Sequence, residues 1–138
     1  MKTIYQTTAT AVGGREGQVS SEDGVLTLEV RPPKALGGPA GDFTNPEQLF
    51  AAGYAACFDS ALNMVARLRK VKITSSVSAT VSLQMADATS FNIAVDLAVR
   101  MEGTDRATAQ ELLEQAHAVC PYSKAIRNNV VVTLHLQE

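Results

Sequence analysis

The sequence predicts a single α+β domain spanning residues 1–138, on three observations. The segment "TNPEQLFAAGYAACFDSALNMVARLRK" (44–70) carries helix grammar from end to end. Two alternating segments, 70–86 and 91–103, are joined only by "DATS" and read as a long antiparallel hairpin. Along the chain the patterns run β-β-α-β-β-α-β, which segregates helices from mostly antiparallel strands.

Each element has its own justification. "TIYQTTATAV" (3–12) and "GVLTLEVRP" (24–32) are rich in β-branched and aromatic residues, and the turn-forming clusters "GGREG" and "SSEDG" separate them, giving an N-terminal meander. "PPKALGGPAGD" (32–42) mixes Pro and Gly too densely for regular structure, and its glycines do not follow the dinucleotide-binding spacing. In the long helix Asn45 is the N-cap, Pro46 the first helical residue, and Glu47 and Gln48 lie in the first turn. Residues 49–56 are apolar all round, so the N-terminal half of this helix is expected to sit deep; beyond Asp59 the apolar residues thin to one stripe. "TDRATAQELLEQAHAVC" (104–120) puts Ala109, Leu112, Leu113 and Ala116 on one face behind a Thr104 or Asp105 cap. "PYSKAI" reads as a short helical turn and "NVVVTLHLQ" (129–137) as the last strand.

Composition narrows the function classes. With 46% hydrophobic and 19% charged residues, the chain can bury a core without disulfide staples. A formal net charge of −2 leaves no basic field for nucleic acid or anionic lipid. The N-terminal residues lack the apolar core of a signal peptide, and "LFAAGYAACF" is far shorter than the roughly 20 residues of a membrane span. The expected location is the cytoplasm, where two cysteines are inert thiols, metal ligands or a transient redox pair.

Those cysteines are Cys57 and Cys120. Cys57 lies in the apolar helix, where desolvation disfavours the thiolate; to act as a nucleophile it needs a fixed cation close by. Arg15, between the glycines of "GGREG", is a candidate cation, and Glu47 a candidate to hold its guanidinium bidentately. Each also has a plainer reading: a packed thiol, a solvated turn arginine, a glutamate favoured by the helix dipole. Cys120 precedes Pro121 and so caps the next helical turn, whose free N–H groups favour a thiolate. His117, Cys120 and the distant His135 are too few for a zinc site. His117, Tyr122 and Ser123 match no nucleophile motif, and Phe50 and Tyr54 read as core.

"GGREG", "LGGPAGDFTNPEQLFAAGYAACF" and "AHAVCPYSKAIRNN" resemble, in that order and spacing, the signature segments of the organic hydroperoxide resistance (Ohr) proteins of the Ohr/OsmC superfamily. The similarity runs nearly end to end. It implies an OsmC-like fold: an intertwined homodimer of α+β subunits with antiparallel sheets, two main helices, the longer one central and buried, and active sites at the subunit interface. It also implies a peroxidase of organic hydroperoxides, with Cys57 peroxidatic, Cys120 resolving, Arg15 stabilising the thiolate and Glu47 orienting Arg15. No bound cofactor is implied; the reductant is an external dithiol, the dihydrolipoyl group of lipoylated proteins. The family often reads "CPYSNATRGN" where this chain has Lys124, Ile126 and Asn128, which bears on the loop geometry around Cys120.

Spacing adds a constraint. On a straight helix Glu47 and Cys57 lie about 15 Å apart along the axis and roughly 80° apart in rotation. Either the helix breaks near Gly53, or Arg15 stretches between them, or the Arg15–Glu47 pair serving a given Cys57 belongs to the second subunit. Two other function classes compete: a non-catalytic dimer binding hydrophobic ligands, with unreactive thiols, and a general thiol–disulfide exchanger, against which the lack of a C-x-x-C motif counts.

Overall fold

In the computed structural model, which describes all of residues 1–138, three short strands form a first antiparallel sheet. They are β1 (Ala9–Val12), β2 (Gln18–Ser21) and β3 (Thr27–Glu29), with β2 central. The sequence expectation of two strands here is corrected to three. The polar "QVSS" of β2, flanked by turn-forming residues, reads as part of a turn; pairing on both sides makes it a strand. Residues 3–8, by contrast, carry strand propensity but form no strand. The β1–β2 loop is closed by glycines: Gly13 has a φ of 81°, and a Cβ on Gly17 would lie 1.7 Å from the Val12 carbonyl oxygen, so only glycine fits there.

The chain divides into two compact units, Met1–Leu49 and Phe50–Glu138. Helix α1 (Pro46–Leu68) starts at the end of the first unit, where the Asn45 side chain accepts a 2.8 Å hydrogen bond from the Gln48 N–H, the expected N-cap. The helix continues unbroken through Gly53 to Leu68.

The second unit holds β4 (Thr74–Asp87), β5 (Ser90–Glu102), α2 (Arg106–Val119), α3 (Pro121–Ile126) and β6 (Val132–Leu136). β4 and β5 form the expected long hairpin. β6 pairs with β5 in parallel, so this sheet is mixed: the expectation of antiparallel sheets is corrected for this one pair, while the strands remain mostly antiparallel. The cause is the intervening α2–α3 segment, a crossover that returns the chain in the direction of β5. Period-2 alternation puts one face of the sheet into the core. Val81, Val95 and Val132 form one cross-strand row, Ala79, Leu97 and Leu134 the next, and Val77, Val99 and Leu136 a third. Against these pack Tyr54, Phe58, Leu62 and Val65 of α1 and Leu112, Leu113 and Ala116 of α2.

The depth of α1 differs from expectation. Its most buried stretch is the C-terminal half, from Ala61 to Ala66, while Ala52, Ala56, Ser60 and Met64 form an exposed row at four-residue spacing. An apolar segment is buried only where something covers it, and the chain's own core takes one face. By length and composition α1 could cross a bilayer. Here Tyr54, Phe58 and Leu62 are wholly buried in the unit's core.

Candidate active site

Pro121 determines where Cys120 lies. The residue before a proline is pushed out of the α region, and Cys120 has φ −58° and ψ 124°, ending α2 and starting α3. Its Cβ thereby turns into the core, where the side chain is fully buried. There its sulfur lies 3.7 Å from the Cys57 sulfur, 63 residues earlier in sequence. Both thiols are free. The two cysteines are thus brought together, by α1 on one side and the α2–α3 corner on the other.

Burial pushes the Cys57 thiol above its ordinary range, as expected for an apolar helix, and the neighbouring Cys120 thiol adds to the rise. The backbone N–H of Tyr122 faces the Cys57 sulfur and opposes the shift. The amide at the start of α3 that favours a thiolate therefore serves Cys57, whereas the sequence pointed it at Cys120. Tyr122 reaches this position because α1 has no side chain at Gly53: its ring lies 5.8 Å from that of Tyr54 and 6.2 Å from that of Phe50, centre to centre.

In the first unit, Arg15 and Glu47 meet. The two guanidinium terminal nitrogens donate to the two carboxylate oxygens at 2.8 and 2.5 Å, a fork that matches both groups. Glu47 is 16% exposed and Arg15 40%. Hydrogen bonding from Arg15 holds the Glu47 carboxyl below the usual carboxylate range, and Glu47 in turn raises Arg15. The pair is charged at neutral pH and fixes the direction of the guanidinium. The helix dipole favours Glu47 in the first turn of α1, but the bidentate pairing gives it a specific partner.

The substitutions near Cys120 fit the local backbone. Asn128, where the resemblance suggests glycine, has a φ of 65°, and asparagine is among the few side-chain-bearing residues that adopt this left-handed conformation readily. Lys124 is exposed, and Ile126 packs on the core. Arg127 donates a 2.7 Å hydrogen bond to the His117 carbonyl near the C-terminus of α2.

Three groups that the sequence reading set aside also converge. The Tyr54 hydroxyl and the Ser123 hydroxyl are 2.7 Å apart, and the Ser123 hydroxyl is 2.9 Å from His117 Nδ1. The spacing His117–Cys120–Ser123, three residues either side of a cysteine at a helix–Pro–helix junction, is the sequence signal that could have pointed to them. No three His, Cys, Asp or Glu side chains gather as a metal site.

The OsmC-like protein family matches residues 39–135. The organic hydroperoxide resistance protein of Xanthomonas axonopodis pv. citri is 48% identical over 98% of this chain and 96% of its own length. This chain is an organic hydroperoxide resistance family member, of the OsmC-like group. A second relative in the family, organic hydroperoxide resistance protein OhrA of Bacillus subtilis, is 49% identical over 98% of this chain and 97% of its own length. The crystal structure of an organic hydroperoxide resistance protein from Elizabethkingia anophelis superposes with a TM-score of 0.93 at 49% identity, covering 100% of this chain and 99% of the other. The α+β architecture, with its two sheets and its helices, is therefore that of the family.

Proposed function

We propose that this protein is a cysteine-based peroxidase that reduces organic hydroperoxides to alcohols and serves in organic peroxide resistance. The approach of the Cys57 and Cys120 sulfurs to 3.7 Å carries the reading, because two thiols so placed form a disulfide with little side-chain movement. The Cys57 thiolate attacks the distal oxygen of ROOH, the O–O bond breaks, and the alkoxide takes a proton to leave as ROH. Cys57 is then a sulfenic acid. Cys120 attacks its sulfur, the S–O bond breaks, and the hydroxide leaves as water with the Cys120 proton. An external dithiol, for which a dihydrolipoyl group is the proposed source, reopens the disulfide by exchange and is itself oxidised to a disulfide.

Burial disfavours the Cys57 thiolate, so a cation is needed. Arg15 is the proposed cation and Glu47 its orienting partner, a role their bidentate pairing supports. Because α1 does not break at Gly53, Glu47 and Cys57 stand on one rod about 15 Å apart along its axis, and the preferred reading is that each pair serves the Cys57 of a second subunit. A homodimer is supported by the exposed row Ala52, Ala56, Ser60 and Met64 on α1, a surface that a second copy would cover. The apolar setting of Cys57 favours alkyl and fatty-acid hydroperoxides over hydrogen peroxide, in keeping with the relatives' name. The proposed location is the cytoplasm.

Thiol counting with peptide mass mapping tests the reaction. One equivalent of tert-butyl hydroperoxide should consume both thiols and link Cys57 to Cys120, with hydrogen peroxide slower. If both thiols stay titratable and no linkage forms, the chain is a non-catalytic binding or structural protein instead.

A further inference from the structure

We infer that Tyr54, Ser123 and His117 form a hydrogen-bonded clamp that positions Cys120 for the resolving step and bears on that step far more than on the peroxide-reducing step of Cys57. The inference rests on the peroxidase reading above and adds three positioning residues to it.

The clamp joins the three helices that carry the two thiols. Tyr54 lies one turn before Cys57 on α1, His117 one turn before Cys120 on α2, and Ser123 one turn after Cys120 on α3. The Ser123 hydroxyl sits between the other two, 2.7 Å from the Tyr54 oxygen and 2.9 Å from His117 Nδ1. Cys120 is therefore bracketed on both sides along the chain, and both brackets are tied through one hydroxyl to the helix of Cys57. Backbone bonds alone give this corner little rigidity, since α3 has six residues and the α2 ladder ends at Cys120.

Burial makes the ties matter. Tyr54 and Ser123 are both 0% exposed, so a hydroxyl losing its partner has no bulk water to replace it, and a buried unpaired polar group is costly. No buried side-chain polar atom is unpaired in this protein, which places these hydroxyls in a fully satisfied network. Its direction follows from chemistry. Neutral His117 with its proton on Nε2 accepts from Ser123 O–H at Nδ1, leaving the Ser123 oxygen to accept from Tyr54 O–H. Burial, and then the Arg127 guanidinium that binds the His117 carbonyl, hold this imidazole below its ordinary range and so keep it neutral. An imidazolium would donate at Nδ1, reverse the chain and leave the Tyr54 proton without an acceptor. Such a network belongs beside the step that needs geometry most: two sulfurs at 3.7 Å must close to a bond, whereas the peroxide diffuses to Cys57.

The experiment separates the two steps. Reduced full-length protein is mixed with tert-butyl hydroperoxide, quenched at intervals, and mapped by mass for Cys57 sulfenic acid (trapped with dimedone), the Cys57–Cys120 disulfide, and Cys57 sulfinic acid. In Tyr54→Phe and Ser123→Ala, sulfenic acid should form within about twofold of the wild-type rate, while disulfide closure slows by about tenfold, the scale of one net hydrogen bond, and sulfinic acid accumulates. His117→Asn, whose amide oxygen can take the place of Nδ1, should stay closer to wild type than His117→Leu. Should Ser123→Ala not fold, the isosteric Tyr54→Phe decides. Wild-type disulfide closure in Tyr54→Phe and in whichever other variants fold overturns the inference, as does an equal fall in both steps, which marks a general structural role. Absence of any Cys57 oxidation in the wild-type protein would instead overturn the peroxidase reading, and this inference with it.

Discussion

A Cβ at position 53 would lie 2.8 Å from the Tyr122 hydroxyl and 3.2 Å from Cε2 of its ring, so the missing side chain of Gly53 is what lets that ring rest on α1. Tyr122 is 40% exposed, and its ring can swing outward if pushed. Gly53→Ala is therefore expected to fold normally, with helix propensity favouring alanine by about 1 kcal/mol at a mid-helix position. With its ring swung off α1, Tyr122 loses an anchor for its backbone N–H, whose hydrogen bonding to Cys57 opposes the rise caused by burial. The Cys57 thiol should then titrate at higher pH in Gly53→Ala than in wild type, measured by the pH dependence of its alkylation in a Cys120→Ser background. An unchanged titration would mean that Tyr122 holds its amide in place without the ring. The cysteine pair, the arginine–glutamate pair and the Asn45 cap were legible in the sequence because residue type and motif order carry them. The Tyr122 amide and the Tyr54–Ser123–His117 contact were not, because both depend on how α3 turns back onto α1, a tertiary placement that leaves no local periodicity.

The elements whose signal is local were readable, and those defined by pairing were not. β4, β5, α1 and α2 announce themselves by alternation, helical stripe or cap, and each is found close to its expected span. β2 has a single apolar residue, Val19, too little to show alternation, and exists because β1 and β3 flank it. The parallel register of β6 follows from the crossover, which no property of "VTLHL" records. The end of α1 is a case where sequence and structure pull in different directions. Lys70 takes a φ of 58°, its N–H donates to the Arg67 carbonyl and the Val71 N–H to the Ala66 carbonyl, which is the Schellman closure that glycine most often supplies. Nothing in the structure calls for lysine there. Relief of the left-handed strain outweighs the added freedom of glycine in the unfolded chain, so Lys70→Gly should stabilise the protein by about 0.5–1 kcal/mol. Thermal unfolding should shift upward by about 2–4 °C for a chain of this size, and an unchanged or lower midpoint would show that the Lys70 side chain contributes something the geometry does not reveal.

At the scale of the whole molecule, the proposed mechanism turns on which chain supplies the cation. The Arg15–Glu47 fork is complete within one chain, and the thiol pair is complete within one chain, yet α1 runs unbroken with Glu47 ten residues before Cys57. If a second subunit's fork activates each Cys57, the dimer is a catalytic requirement, and two inactive variants can rescue one another. Cys57→Ser keeps the fork and loses the proposed nucleophile; Arg15→Ala keeps both thiols and loses the proposed cation. Each homodimer should be at background. Mixed under conditions of subunit exchange, they form heterodimers in which one site pairs the intact Cys57 with the intact Arg15, while the other lacks both. Activity should therefore rise to about half of the wild-type value per heterodimer, a fraction to be set against the heterodimer content measured by native mass spectrometry. Sites complete within one chain predict the opposite: in every heterodimer one chain lacks the thiol and the other the cation, so activity stays at background whatever the extent of exchange. The two outcomes differ in kind rather than degree, and verified heterodimers without activity would rule out the shared site.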